Sequence, residues 1–202
     1  MKTFCFDFDG TIADTIPLIV KTVDYLLKKG GHDEISEDLL RKIREEGIEE
    51  ALKELNVPTY KLPFLYLQIK KEMNKGLADV AVSANIKNVL LKLKNDGYRV
   101  GILTSNSEEN VKKFLDNNNL NYFNFIKNSG MFRKTKKLRK LKGRDDFFVY
   151  IGDEARDIKA GKKAKVKTVG VCWGLSSKKA LLRARPDILI EDPQDLLNLV
   201  SD

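Results

Sequence analysis

Three polar clusters stand directly after short apolar runs, and their residue types suit chemistry on a phosphate. They are Asp7-Phe8-Asp9-Gly10-Thr11, Thr104-Ser105-Asn106, and Gly152-Asp153-Glu154 with Asp157 following. Transfer of a phosphoryl group needs a nucleophile, neutralisation of three equatorial oxygens and a proton for the leaving oxygen. A carboxylate can be that nucleophile, and further carboxylates can hold a hard divalent cation beside it. Carboxylates from separate parts of the chain serve this purpose only if the fold gathers them at one place.

Elements that would do so can be read from the hydrophobic pattern. Thr3 to Phe8 reads as a strand buried on both faces. From Thr15 to about Val80 the period becomes helical, with Ile16, Ile19, Val20, Val23, Leu26 and Leu27 on one stripe. Leu39, Leu40 and Ile43, then Ile48, Leu52 and Leu55, lie on further amphipathic turns. Gly30-Gly31, Val57-Pro58 and Leu62-Pro63 punctuate this stretch. Strands at Arg99 to Leu103, near Tyr122 to Ile126, and at Phe147 to Ile151, Thr168 to Cys172 and Ile188 to Ile190 then alternate with helices. The helices fall at Ile86 to Asp96, Glu108 to Asn117, Lys136 to Leu141, Asp157 to Ala164 and Lys178 to Ala184. That alternation predicts an α/β fold, a doubly wound parallel sheet with helices on both faces. Such sheets bind ligands beyond the carboxyl ends of their strands, where the three polar clusters fall.

The order Asp-x-Asp-Gly-Thr, then Thr104-Ser105, then a lysine, then Gly-Asp-x-x-x-Asp resembles the haloacid dehalogenase (HAD) superfamily over nearly the whole chain. Phe132-Arg133-Lys134, the run Tyr150 to Asp157 and Val171-Cys172-Trp173-Gly174 are similar to its phosphoglycolate-phosphatase-like branch. The resemblance implies a Rossmann-like core over 1–14 and 83–202 with an inserted helical cap over 15–82. It also implies a Mg²⁺-dependent phosphatase acting on a small phosphorylated metabolite, with phosphoglycolate the leading candidate.

Within that reading Asp7 attacks phosphorus, and Asp9 protonates the leaving oxygen and later activates water. Gly10 permits the turn and Thr11 orients it. Thr104, with the N–H of Ser105 at a helix start, receives phosphate oxygens. Asp7, Asp153 and the carbonyl of Asp9 are the expected metal ligands, and Asp157 either binds a metal-held water or holds the lysine. Lys134 is the expected phosphate lysine, with Lys136 and Lys137 as alternatives, since Arg133 stands where relatives carry Gly. In the cap, Lys61, Arg41 and Arg44 are candidates for contacts with the leaving group.

Blander readings apply to each piece alone. Asp9-Gly10 could be a plain turn, and the other acidic or hydroxyl residues could be helix caps. A calcium loop is excluded, because no Glu stands at its twelfth position. His32, the only histidine, sits in a Gly-rich turn and is expected at the surface. Rival functions are a phosphomutase of the same superfamily, a dehalogenase, disfavoured by Asp9, and a non-catalytic basic binding protein.

Composition bounds the rest. At 202 residues the chain can bury one core with an insertion. No apolar run is long enough for a membrane span, and Asp7 and Asp9 interrupt the only stretch that could serve as a secretory signal. Cys5 and Cys172 lie in strand-like runs and read as buried thiols, so a cytoplasmic setting is expected, with no membrane partner. The net charge of +8 raises encounter rates with anions. The signatures of nucleic-acid-binding modules are missing, so nucleic acid is not an expected partner.

Overall fold

The computed structural model describes residues 2–54, 60, 62–130, 133–145 and 147–200. Six parallel strands form one sheet in the order β3-β2-β1-β4-β5-β6. They are β1 (Lys2–Phe6), β2 (Arg99–Thr104), β3 (Phe125–Asn128), β4 (Phe147–Gly152), β5 (Lys167–Val171) and β6 (Ile188–Ile190). The chain starts in the middle, builds outward through β2 and β3, then returns to the other side of β1 through β4. Strand order therefore reverses between β1 and β4, which opens a crevice at their carboxyl ends.

Helices α1 (Ile16–Lys29), α2 (Glu37–Glu46), α3 (Ile48–Glu54) and α4 (Leu62–Gly76) lie between β1 and the next core helix, α5 (Ile86–Asn95). Beyond it come α6 (Glu108–Asn117), α7 (Lys134–Lys142), α8 (Ala155–Ala164) and α9 (Lys178–Ala184). Short 3₁₀ turns occupy Leu77–Asp79 and Pro193–Val200. Leu55, Val57, Pro58 and Lys61 lie outside the described residues. No helix among the described residues is long and apolar enough to cross a membrane.

Side-chain alternation along the central strands divides the core into two layers. Phe4 and Phe6 of β1, Val100 and Ile102 of β2, and Val149 and Ile151 of β4 face α5 and α6, packing on Val89, Leu93, Val111 and Phe114. Cys5, Leu103, Phe148 and Tyr150 face the other way, onto Leu138 of α7 and Ala160 and Ala164 of α8. Phe4, Phe6 and Phe8 are all fully buried. Each contributes about 1.5–3 kcal/mol relative to an exposed ring. This two-sided burial explains why Phe4, Cys5 and Phe6 of β1 are apolar in succession and not at alternate positions.

A third cluster belongs to the helical segment. Ile19, Val23 and Leu27 of α1 pack with Ile43 of α2, Ala51 and Leu52 of α3, and Ile69 and Met73 of α4. Leu175, from the loop after β5, joins this cluster. The two chain connections to the segment run side by side: Ala13 bridges Val82, and the N–H of Asp14 donates to the carbonyl of Ala81 at 2.9 Å.

Most sequence-predicted elements occur within a residue or two of expectation. The third strand is displaced to Phe125–Asn128 from the apolar run near Tyr122, because Tyr122 and Phe123 pack on the core beside Leu120 instead of extending the sheet.

Candidate active site

Asp7 follows the last residue of β1, and its N–H donates to the carbonyl of Ile151 on β4, so it extends the strand by one step into the crevice. Asp153 follows β4, and Asp157 stands in the first turn of α8. Carboxylate oxygens of Asp7, Asp153 and Asp157 all lie within 4.8 Å of one another, and each residue is buried. Residues 150 positions apart in sequence thus form one cluster, because β1 and β4 are neighbours in parallel register.

Three buried carboxylates need a compensating charge, and one lysine supplies part of it. Lys134, the first residue of α7, places Nζ 3.0 Å from Asp7 Oδ2 and 2.5 Å from Asp157 Oδ1. Lys136 is exposed and Lys137 lies further along the same turn, so Lys134 is the lysine at the carboxylates. Burial opposes its charge, yet Asp157 and Asp7 together hold its ammonium above the ordinary lysine range. Burial equally opposes the charge of Asp157, but Lys134 and then Arg156 hold its carboxyl below the usual range. Asp7 is left in excess: burial, with repulsion from Asp157 and Asp9 against the attraction of Lys134, pushes it up to about 7. Asp153 is raised well above the ordinary carboxylate value, by burial and then by Glu154, Asp157 and Asp7.

This donor set fits a hard divalent cation. Asp7 and Asp153 are both destabilised as anions, their oxygens converge, and their neighbours hold them in place. Thr11 donates its hydroxyl to Asp153 Oδ1 at 3.0 Å, and the N–H of Leu175 donates to Oδ2 at 2.8 Å. Asp157 is committed otherwise, since Oδ1 accepts from Lys134 and Oδ2 accepts the N–H of Glu154 at 3.2 Å. Of the two roles open to Asp157 in the sequence, the geometry favours holding the lysine.

Two glycines admit this packing. A Cβ on Gly174 would stand 2.1 Å from Asp153 Cβ, and one on Gly10, at φ +73°, would stand 2.3 Å from Asp153 Oδ2. Gly174→Ala is expected to displace Asp153. Loss of metal-dependent activity by about tenfold or more, with a lowered melting temperature, is the outcome that calorimetry and a steady-state assay would register.

Asp9 turns out of the strand at the start of a tight loop in which the N–H groups of Thr11, Ile12 and Ala13 all donate to the carbonyl of Phe8. Its Oδ2 accepts from Lys70 Nζ at 2.7 Å, and its buried Oδ1 has no hydrogen-bond partner among the described residues. Lys70 belongs to α4, and nothing in its local sequence separates it from Lys71. Tyr150 was also not anticipated: its buried hydroxyl lies 3.3 Å from the carbonyl of Leu103 and 3.4 Å from Asp157 Oδ1, beneath the cluster. Trp173 donates its indole N–H to the carbonyl of Thr11 at 3.0 Å and so braces the Asp9 loop.

The Thr104-Ser105 pair differs from expectation in one respect. Ser105 does not begin a helix; Ser107 is the N-cap of α6, its hydroxyl accepting the N–H of Asn110. Asn106 intervenes, with its N–H on Thr104 Oγ1 and its side chain accepting from Ser107. The extra turn arises because the side chains of Thr104, Asn106 and Ser107 each accept from a nearby backbone N–H. Thr104 is fully buried, whereas Ser105 lines a cavity of about 310 Å³ with Lys134, Arg156 and Lys159. Among the expected contacts in the helical segment, Arg41 pairs with Asp38 at the surface. Arg44 lines a cavity of about 760 Å³ with Asp14, Trp173 and Gly174, and Lys61 lies outside the described residues.

A parallel sheet with a carboxylate cluster and a lysine at its switch point defines a class of enzyme, and comparison with known families agrees. The profile of the haloacid dehalogenase-like hydrolases matches residues 4–171, and the chain belongs to that family. It is similar over its full length to a phosphoglycolate phosphatase from Synechococcus elongatus, at 27% identity over 207 residues covering 98% of that protein. A pyrophosphatase from Listeria welshimeri is 26% identical over 215 residues, covering all of this chain and 97% of its own. Among solved structures, a haloacid dehalogenase-like family hydrolase from Streptococcus pneumoniae superposes with a TM-score of 0.82 at 17% identity. That alignment covers 100% of this chain and 99% of the other, and it speaks for the fold alone.

Proposed function

We propose that the protein is a Mg²⁺-dependent phosphatase that hydrolyses a small phosphomonoester through an aspartyl-phosphate on Asp7. The observation that carries this reading is the convergence of Asp7, Asp153 and Asp157 with Lys134 at the end of β1. Asp7, Asp153 and the backbone carbonyl of Asp9 would hold the cation. When bound it supplies positive charge to the carboxylates and the substrate phosphate. Asp7 presents a carboxylate oxygen to phosphorus from a position fixed by β1, and Lys134 offsets charge on both the nucleophile and the transferring group. Asp9, set off the strand by one loop, gives its proton to the leaving oxygen and then takes one from the water that releases phosphate. Thr104 and Ser105 orient the phosphate from the end of β2.

Segment 15–82 acts as a cap over this edge and excludes bulk water, a reading supported by the paired connections at Ala13 and Val82. Two relatives named as phosphoglycolate phosphatases support phosphoglycolate as substrate, while others named as pyrophosphatases support pyrophosphate. A cytoplasmic setting suits the two free thiols, Cys5 and Cys172. The test is hydrolysis of p-nitrophenyl phosphate and a panel of phosphorylated metabolites with and without Mg²⁺. Phosphate release that requires the metal is expected, and its absence across the panel would refute the reading. Transfer of phosphate to a sugar instead of water would identify a mutase.

Metal dependence should also appear in stability. Unfolded aspartates titrate near pH 3.9, roughly, whereas burial in the folded protein pushes Asp7 up to about 7 and raises Asp153 well above its ordinary value. Between those values the native state binds more protons than the unfolded chain. Stability of the metal-free protein therefore falls as pH rises toward and through 7. Mg²⁺ binds the deprotonated cluster, so it is expected to raise the melting temperature markedly at pH 8 and little at pH 5, as differential scanning fluorimetry would show.

A further inference from the structure

Lys70 reaches the site from the helical segment, 61 residues from Asp9 in sequence, and places its ammonium 2.7 Å from Asp9 Oδ2. Both side chains are largely covered, at 16% and 12% exposure. Resting on the phosphatase reading, we propose that Lys70 is a specificity-determining residue, which receives an anionic group carried by the leaving group of the substrate.

The geometry argues it in two steps. Asp9, as the acid that protonates the leaving oxygen, must touch that oxygen, so a cation bound to Asp9 lies within reach of whatever the oxygen is attached to. The cluster at the sheet edge is acidic, with Asp7, Asp9, Asp153 and Asp157 together, and Lys134 is already held between Asp7 and Asp157. An anionic leaving group therefore meets repulsion on the sheet side and attraction from Lys70 on the helical side. A neutral leaving group that enters between Lys70 and Asp9 separates a covered ion pair and returns no charge to the lysine. A carboxylate or phosphate returns one, so the exchange favours anionic substrates. The position also suits the helix that carries it: Ile69 and Met73 of α4 are buried in the segment's own core, which fixes the face from which Lys70 projects.

The alternative is that Lys70 only fastens the helical segment to the sheet. Three substrates separate the two roles: phosphoglycolate, with a carboxylate on its alcohol; pyrophosphate, with a phosphate leaving group; and ethyl phosphate, of similar size and neutral. In Lys70→Met, kcat/KM for at least one anionic substrate relative to ethyl phosphate is expected to fall about tenfold or more. The loss should lie mainly in KM, and Lys70→Arg should restore much of it. Whichever anionic substrate is affected identifies the group that is read. A ratio unchanged for both anions, even with all activities lowered together, would overturn the inference and leave a fastening role. If wild-type protein hydrolyses none of the three, the phosphatase reading rests on the wider panel with p-nitrophenyl phosphate. The lysine is then judged by calorimetric binding to the full chain carrying Asp7→Asn. A preference for phosphoglycolate over ethyl phosphate that Lys70→Met abolishes would uphold it, and equal binding of the two ligands would overturn it.

Discussion

Asp7→Asn is expected to reduce Mg²⁺-dependent turnover of p-nitrophenyl phosphate by at least about a thousandfold, to the background of the assay. Asn has nearly the shape of the aspartate but no anionic oxygen to form a bond with phosphorus. Loss of fold would be a trivial explanation, and the electrostatics argue against it. Burial and the neighbouring carboxylates already favour the uncharged form of Asp7, which Asn imitates, and Lys134 retains Asp157 as a partner. At pH 8 the metal-free variant should therefore melt no lower than wild type. Wild-type turnover in Asp7→Asn would remove Asp7 from the role of nucleophile, whereas an inactive variant with a much lower melting temperature would point to structure instead.

Asp9→Asn is expected to slow steady-state turnover by about 10²–10⁴-fold, the range for loss of a positioned acid or base, while Mg²⁺ still raises the melting temperature. The two half-reactions should respond differently. p-Nitrophenolate leaves without needing a proton, so attack by Asp7 can still proceed, but the water that opens the aspartyl-phosphate loses its base. A burst of about one p-nitrophenol per protein followed by slow turnover is the pattern that rapid mixing would reveal. Ethyl phosphate, whose alkoxide is a poor leaving group, should show no burst. Full activity on ethyl phosphate in this variant would show that another group supplies the proton.

Much of this arrangement was legible in residue order. Within the run read as Thr3 to Phe8, Phe4, Cys5 and Phe6 are apolar at both parities, which a strand buried on two faces requires, and Asp7 next to them is then committed to a sheet edge. The same logic applied to Phe147 to Ile151 places Asp153 just past that strand. Boundaries of α6 and β6 also followed from period and punctuation, because their capping and apolar signals are local. Where local signals compete, the reading slipped. Ser105 was assigned to a helix start that Ser107 occupies, since Thr104, Ser105, Asn106 and Ser107 all can bond nearby backbone. Tyr122 and Phe123 read as strand because an aromatic run suits either a strand or a packed loop.

Chemical identity of the site lay within short segments: two carboxylates around a turn after one strand, a carboxylate after another, and a lysine before a basic helix. Its charge state did not, because the elevation of Asp7 and Asp153 comes from burial and from each other, and both depend on β1 and β4 being neighbours. Which of Lys134, Lys136 and Lys137 meets the carboxylates likewise depends on which side of the first turn of α7 faces the sheet edge. Lys70 carries no local mark at all. Its meeting with Asp9 depends on four helices packing into their own core and folding back along paired connections, a contact across 61 residues that residue spacing cannot express.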